Sequence, residues 1–251
     1  VIIEDGINSV GDYLFYKCTA LTSVTIGNGA GSIGYYAFRE CTALSKVVIG
    51  NNVTSIGSYA FSECKNVVEF TMPVSCSISD RINNYYWLML KKVTLTAGNG
   101  TMPSYSGSAY SCLPWAGSSV KSVIVEEGVT NIGDYAFYNL SSLTNITLPS
   151  TLKTIGQSAF SGCTGLTDIT IPDSVTSIGT SAFSNCSYLS NVNFGNSRAV
   201  IGRDTFYGCK RLSNVKLGNV KSIGQNAFYD CDGLKTVVLP KATTNIGNQA
   251  F

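Results

Sequence analysis

Along the chain, an apolar residue, two polar residues and an apolar-x-apolar triplet recur as one phrase. It reads Leu21 with Val24 and Ile26, Leu44 with Val47 and Ile49, Val67 with Phe70 and Met72, and Leu90 with Val93 and Leu95. Further copies start at Val120, Leu143, Leu166, Leu189, Leu212 and Leu234. The end of each phrase alternates and is rich in Val, Ile and Thr, which predicts a short strand with one buried face. The slot after it holds Gly27, Gly50, Pro73, Pro149, Pro172, Gly195, Gly218 or Pro240. Proline lacks the N–H a ladder needs and glycine permits a sharp bend, so both end a strand there. A second extended stretch follows, as in Val53 to Gly57, and closes on Ile-Gly. Next comes an Ala-Phe phrase in which Phe61 and Cys64 are three apart, the spacing of one face of a single helical turn. Asp12, Ser58, Asp134 and Thr180 fill the slot after the glycine, where a side-chain oxygen can cap that turn.

The phrases keep a common period. Phenylalanines fall at Phe15, Phe38 and Phe61, then at Phe137, Phe160, Phe183, Phe206, Phe228 and Phe251, in steps of 22 or 23 apart from one of 76. That long step is three ordinary ones plus seven residues, and Leu90 stays in phase within it, so the array is continuous. A 23-residue unit cannot bury its apolar side alone, whereas stacked units form continuous internal columns. The pattern therefore predicts one right-handed, β-rich solenoid over residues 1–251 with about eleven turns, the stretch 73–119 being irregular and carrying the seven-residue insertion. Its strands form a parallel concave sheet, roughly 50 Å long at ~4.8 Å per strand. Short extended and one-turn helical pieces make the convex side. The chain starts in mid-strand at Val1 and stops at Phe251 inside a repeat phrase, without polar capping units, which reads as a piece of a longer protein. Its open ends are expected to favour end-to-end self-association.

The full phrase C-x-x-L-x-x-V-x-I-P-x-x-V-x-x-I-G-x-x-A-F, complete from Cys163 to Phe183, resembles the BspA-type leucine-rich repeat, and the likeness extends over about 80% of the chain. The stretch from Gly98 through Trp115 to Gly133 is similar to a segment that often precedes such arrays, here in mid-array. The resemblance implies a surface or secreted protein that adheres to host proteins or other cells. The periodicity itself speaks only for a solenoid.

Composition narrows the chemistry. The 44% hydrophobic share supports a sizeable core, and the 13% charged share is well under the usual ~25%. There is no histidine, which removes Ser-His-Asp and Cys-His triads, histidine bases and histidine zinc sites. Carboxylates fall at scattered phases of the repeat, and the pieces Gly27 to Gly29 and Gly98 to Gly100 lack the helix and lysine of a phosphate loop. The reading is therefore non-enzymatic, with no cofactor and no metal. No stretch approaches ~18 apolar residues, so no membrane insertion is expected. The net charge is +2, and eight basic side chains between Arg198 and Lys241 face three acidic ones. With only Tyr207 and Tyr229 near them, nucleic acid is not expected as a partner.

Seven of nine cysteines, Cys18, Cys41, Cys64, Cys163, Cys186, Cys209 and Cys231, sit three residues after a repeat phenylalanine or its counterpart and form one structural column beside Phe15, Phe38, Phe61, Phe137, Phe160, Phe183, Phe206 and Phe228. Buried free thiols acting as small hydrophobes fit this placement. Cys76 and Cys112 lie off the column, and their pairing stays open. The irregular region gathers Tyr85, Tyr86, Trp87, Tyr105, Tyr110 and Trp115, which either fill the core where the Ala-Phe and Cys columns lapse or contact a partner. Tyr105 and Tyr110 are the expected exposed members. On the strand face turned from the core, a central column runs Thr25, Val48, Thr71, Thr94, Ile124, Thr147, Thr170 and Asn193. A flanking column runs Lys46, Glu69, Lys92, Asn145, Asp168 and Asn191. Such Thr, Asn and charged side chains suit hydrogen bonding to a protein or glycan ligand, and equally suit plain solubility. Two functions follow: recognition or adhesion over the concave face, or a passive spacer in a larger surface protein.

Overall fold

The computed structural model describes residues 1–78, 87–105 and 113–251. Its coils are joined along the stack by parallel ladders. On the long-strand face, Ile2–Ile3, Ser23–Ile26, Lys46–Ile49, Glu69–Pro73, Lys92–Thr96, Ser122–Val125 and Asn145–Thr147 form a seven-stranded sheet. Asp168–Thr170, Asn191–Asn193 and Asn214–Lys216 continue it as a separate three-stranded sheet, which makes ten such strands among the described residues. Within each sheet a strand pairs with the one a repeat later, and Lys92 lies opposite Ser122, so the segment at Leu90 stays in the stack. The eleventh expected strand, around Thr236 to Val238, is not paired, and Val238 is 85% exposed.

The Ser-Ile or Asn-Ile dipeptides build a second ladder. Ser32–Ile33, Ser55–Ile56 and Ser77–Ile78 pair in one run, and Asn131–Ile132 through Asn245–Ile246 in another. The glycine that follows does not bend the chain into a left-handed turn here. It is there because coils touch: a Cβ on Gly179 would sit 2.6 Å from Gln157 N and 2.7 Å from Gly156 C.

The expected one-turn helix is absent from the described residues, and a third ladder takes its place. Around Phe38, alternate N–H groups bond within the coil (Ala37 to Gly34 O, Arg39 to Tyr36 O) and to the next coil (Phe38 to Ala60 O at 2.7 Å, Glu40 to Ser62 O at 2.8 Å). That alternation needs left-handed residues on both sides of the phenylalanine, as at Tyr36 (φ 54°) and Glu40 (φ 62°), which a helix excludes. Several later coils place Asn, Asp or Gly there, including Asn139, Asp230 and Gly162, which tolerate this backbone. Of the expected caps, Asp12 and Asp134 act between coils: Asp12 Oδ1 accepts from Tyr35 N–H at 2.7 Å, and Asp134 Oδ1 from Gln157 N–H at 2.6 Å.

Within this frame the phenylalanines stack ring on ring. Phe38 and Phe61 have centroids 5.1 Å apart, as do Phe137 and Phe160, and Phe160 and Phe183, with Phe183 and Phe206 at 5.3 Å. Where the phenylalanine lapses, Trp87 packs on Phe61 at 6.1 Å and Trp115 on Phe137 at 5.8 Å, both fully buried. These aromatics therefore fill the core. Two members of the predicted columns depart from full burial in the first full coil: Phe15 is half-buried and Cys18 exposed. Cys231 is half-buried too, while Cys41, Cys64, Cys163, Cys186 and Cys209 are enclosed. They are more than small hydrophobes. Cys64 Sγ–H donates to Phe38 O at 3.1 Å, and Cys163, Cys186 and Cys209 donate to Phe137, Phe160 and Phe183 O, each at 3.2 Å. Each of these thiols thus gives the phenylalanine carbonyl of the preceding coil a second hydrogen bond, beside the N–H it already accepts three residues on. Cys76 is a buried free thiol, and Cys112 lies outside the described residues, as do Tyr85, Tyr86 and Tyr110.

Replacing Phe160 by Ala opens a cavity between two stacked rings and is expected to lower stability by about 3–5 kcal/mol, read from urea unfolding. A loss under 1 kcal/mol would contradict a ring column that carries the stack. Burial pushes the thiols of Cys76, Cys163 and Cys231 up to about 12, above the ordinary 9.0. An unfolded thiol ionises near its ordinary value while the folded one holds its proton. Their stabilising effect is therefore complete below about pH 9 and is lost as pH rises towards 12. Urea midpoints measured from pH 7.5 to 11 should fall less steeply for Cys163→Ala than for the parent; identical slopes would contradict the burial.

Candidate functional site

The outward columns lie where alternation puts them. Thr25, Lys46, Asn145, Thr147, Asp168 and Thr170 are exposed, and Val48, Glu69, Thr71, Lys92, Thr94, Ile124, Asn191 and Asn193 are half-buried. Their inward neighbours Val24, Val47, Phe70, Val93, Val123 and Ile169 are buried. Along the seven-stranded part these side chains share a closed sheet surface. Lys46 Nζ and Glu69 Oε2 pair there at 3.3 Å, both substantially exposed, an interaction worth little in water.

Between Asn145–Thr147 and Asp168–Thr170 the long-strand ladder is interrupted. The two strands are not hydrogen-bonded neighbours, whereas each pairs normally on its other side, with Ser122–Val125 and with Asn191–Asn193. The second ladder stays closed at the same coils, with Thr154–Ile155 paired to Ser177–Ile178, and the third as well, where Phe160 N–H reaches Ala182 O at 2.7 Å. The stack therefore opens on one face only. Pro172 contributes. In a glycine coil the N–H of the exit slot reaches the coil before it, as Gly27 N–H does to Ile3 O at 2.8 Å, and proline has none to give. Pro73 and Pro149 occupy the same slot in coils that remain paired, so the missing donor loosens the ladder without opening it unaided. The second lapse, after Asn214–Lys216, again precedes a proline coil, that of Pro240.

The opening is a groove of about 820 Å³. Six predicted site residues line it: Asn145, Thr147, Asp168, Thr170, Asn191 and Asn193. The loops beyond the strands add Glu127, Ser150, Asp173 and Ser174. Three of the lining residues are carboxylates, and none is Lys, Arg or an aromatic. Each carboxylate is held by neutral donors. Asp168 accepts from Thr167 Oγ1 at 2.6 Å and from the Asn191 amide, which in turn accepts from Asn214 at 3.3 Å. Glu127 accepts from Ser150 N–H at 2.9 Å and from its hydroxyl at 3.0 Å, and those bonds hold its carboxyl below the usual range. Asp173 accepts from Asn196 N–H at 2.7 Å. The groove is thus anionic and held in shape by bonds between coils. The lowered Glu127 carboxyl is poorly suited to donate a proton near neutrality.

Glu127, Ser150, Asp173 and Ser174 were missed in reading the strands alone. For Glu127, Ser150 and Asp173 the signal was periodic nonetheless: a polar residue one slot past the exit residue, repeated as Asp5, Asn28, Asn51, Glu127, Ser150, Asp173 and Asn196, bonds coil to coil. A second omission is a tyrosine patch away from the strands, where exposed Tyr13 and half-buried Tyr36 and Tyr59 recur one slot before the Ala-Phe position. Arg39 lies 4.6 Å over Tyr36 and 5.9 Å over Tyr16. Tyr105, expected to be exposed, is half-buried against the core. Among the described residues no group of three or more His, Cys, Asp or Glu side chains can hold a metal ion, and no helix is long and apolar enough to cross a membrane.

The family described as BspA type leucine rich repeat region matches residues 1–110 and 130–251, with six copies. No curated protein matches the chain. Solved structures do. A leucine-rich repeat protein from Bacteroides ovatus is 24% identical, with a TM-score of 0.53 over 98% of this chain and 83% of that one. One from Eubacterium ventriosum is 25% identical, with a TM-score of 0.47 over 100% and 82%. A leucine rich cell surface protein from Faecalibacterium prausnitzii is 20% identical, with a TM-score of 0.42 over 86% and 78%. The first of these supports the fold.

Proposed function

Because the chain belongs to the BspA-type leucine-rich-repeat family, we propose that it is a non-enzymatic recognition module, which binds protein or glycan ligands over its long-strand face and centres that binding on the groove between Asn145 and Asn193. One observation carries this reading: the ladder that should run unbroken opens at these coils while the other two stay closed. A passive spacer needs only continuous stacking, and an interruption takes backbone bonds away from it. A binding surface gains by it a concavity lined with convergent polar groups. The absence of histidine and the firmly ionised Glu127 argue against acid–base chemistry in the same place. Display at a cell surface or by secretion goes with the adhesive role that the resemblance implies.

The test is a screen of immobilised glycans and host proteins with the purified chain. A ligand found there should bind about ten-fold more weakly to Asp168→Ala and to Asn145→Ala, each of which withdraws a polar partner. It should also weaken for Lys46→Ala with Lys92→Ala if the footprint extends along the sheet. An array without any specific ligand, or hits indifferent to all these changes, would favour the spacer.

A further inference from the structure

The groove has properties that select among ligands, and the following inference rests on the reading of this face as the binding surface. We infer that the groove takes an extended polypeptide segment of alternating apolar and basic residues, which lies as an added strand between Asn145–Thr147 and Asp168–Thr170.

Three observations converge on that ligand. The first is backbone geometry. In the closed ladder, Thr25 N–H donates to Val1 O at 3.0 Å and Ile171 N–H to Asn193 O at 2.8 Å. The same alternation turns N–H and C=O of Ile146 and Leu148 from one side, and of Asp168 and Thr170 from the other, into the opening, where the two strands are not paired. Neither edge has a strand partner across the opening. Addition of a strand supplies main-chain partners to both edges, the mode by which sheet edges capture peptides.

The second is burial. Ile146 and Leu148 are half-buried, whereas their counterparts Val123 and Val125 one coil earlier are enclosed. The opening exposes part of two core side chains, and an added strand would cover them with its inward residues. The third is charge. Glu127, Asp168 and Asp173 line the groove with neutral partners and no lysine or arginine among the lining residues, so outward basic side chains on the added strand find uncompensated carboxylates. A glycan fits less well. No aromatic ring lines the groove for a sugar face to stack on, and a sugar cannot offer the regular series of amide donors and acceptors that two strand edges match.

The probe is the acetylated and amidated hexapeptide (Lys-Val)3, labelled and titrated with the chain by fluorescence anisotropy. Its controls are (Glu-Val)3 and two versions of (Lys-Val)3 that are N-methylated at either set of alternate residues, which keep the charge and remove the donors of one edge. The lysine peptide should bind at least ten-fold more tightly than the glutamate peptide and than at least one N-methylated version. The double variant Asp168→Asn with Asp173→Asn, which keeps shape and removes charge, should weaken it at least ten-fold. Failure of (Lys-Val)3 to bind, or equal binding of both N-methylated versions and the parent peptide, overturns strand addition. If the peptide fails while a screened ligand is lost on Asp168→Ala, only this inference falls; if nothing responds to groove substitutions, the reading of the face falls with it.

Discussion

Every property of this chain follows from how one coil bonds to the next. A coil of about 23 residues has no interior of its own, and it acquires one only when its phenylalanine ring lies ~5 Å over its neighbour's and its backbone groups find partners one repeat away. The partners come in three places around the coil: the long strand, the Ser-Ile dipeptide and the turn that carries the phenylalanine. Three attachments have a consequence that one would not. Any of them can open while the other two hold the coils in register, and the long-strand ladder does so between Thr147 and Asp168.

The same dependence explains residues that look misplaced in a single coil. Tyr36 and Glu40 carry positive φ, which for side chains of this kind costs of order 1–3 kcal/mol where it is not supported. The hydrogen bonds to the following coil offset that strain, so the conformation belongs to the stack and not to the segment. Buried thiols follow the same logic. A cysteine there is small enough for the column and adds a second, between-coil hydrogen bond to a carbonyl that already accepts an N–H of its own coil.

Much of this was legible in the amino-acid sequence. The period placed Phe38 and Phe160 in the core, Thr25 and Asn145 outside it, and Leu90 within the stack despite its irregular coil. Two things were not legible. The helix expected from the three-residue spacing of Phe61 and Cys64 failed because that spacing is also met by a turn whose alternate N–H groups leave the coil, and spacing within one coil does not report bonds between coils. The groove was hidden because its walls are ordinary members of the outward columns. Only the relation of two adjacent coils distinguishes Asp168 from Glu69, and Pro172, which shares its slot with Pro73 and Pro149, did not announce the opening by type alone. The loop residues Glu127 and Asp173 were within reach, since their column repeats as regularly as the strands do.

The claim that one of three ladders opens while the others stay shut is tested most directly by amide hydrogen exchange resolved to single residues. The account predicts that Leu148 and Thr170 N–H exchange orders of magnitude faster than Ile171, Gly179 and Phe160 N–H, which bond to Asn193, Ile155 and Ala182 in neighbouring coils. Equal protection of Leu148, Thr170 and Ile171 would mean that the long-strand ladder is continuous, and the groove would not exist.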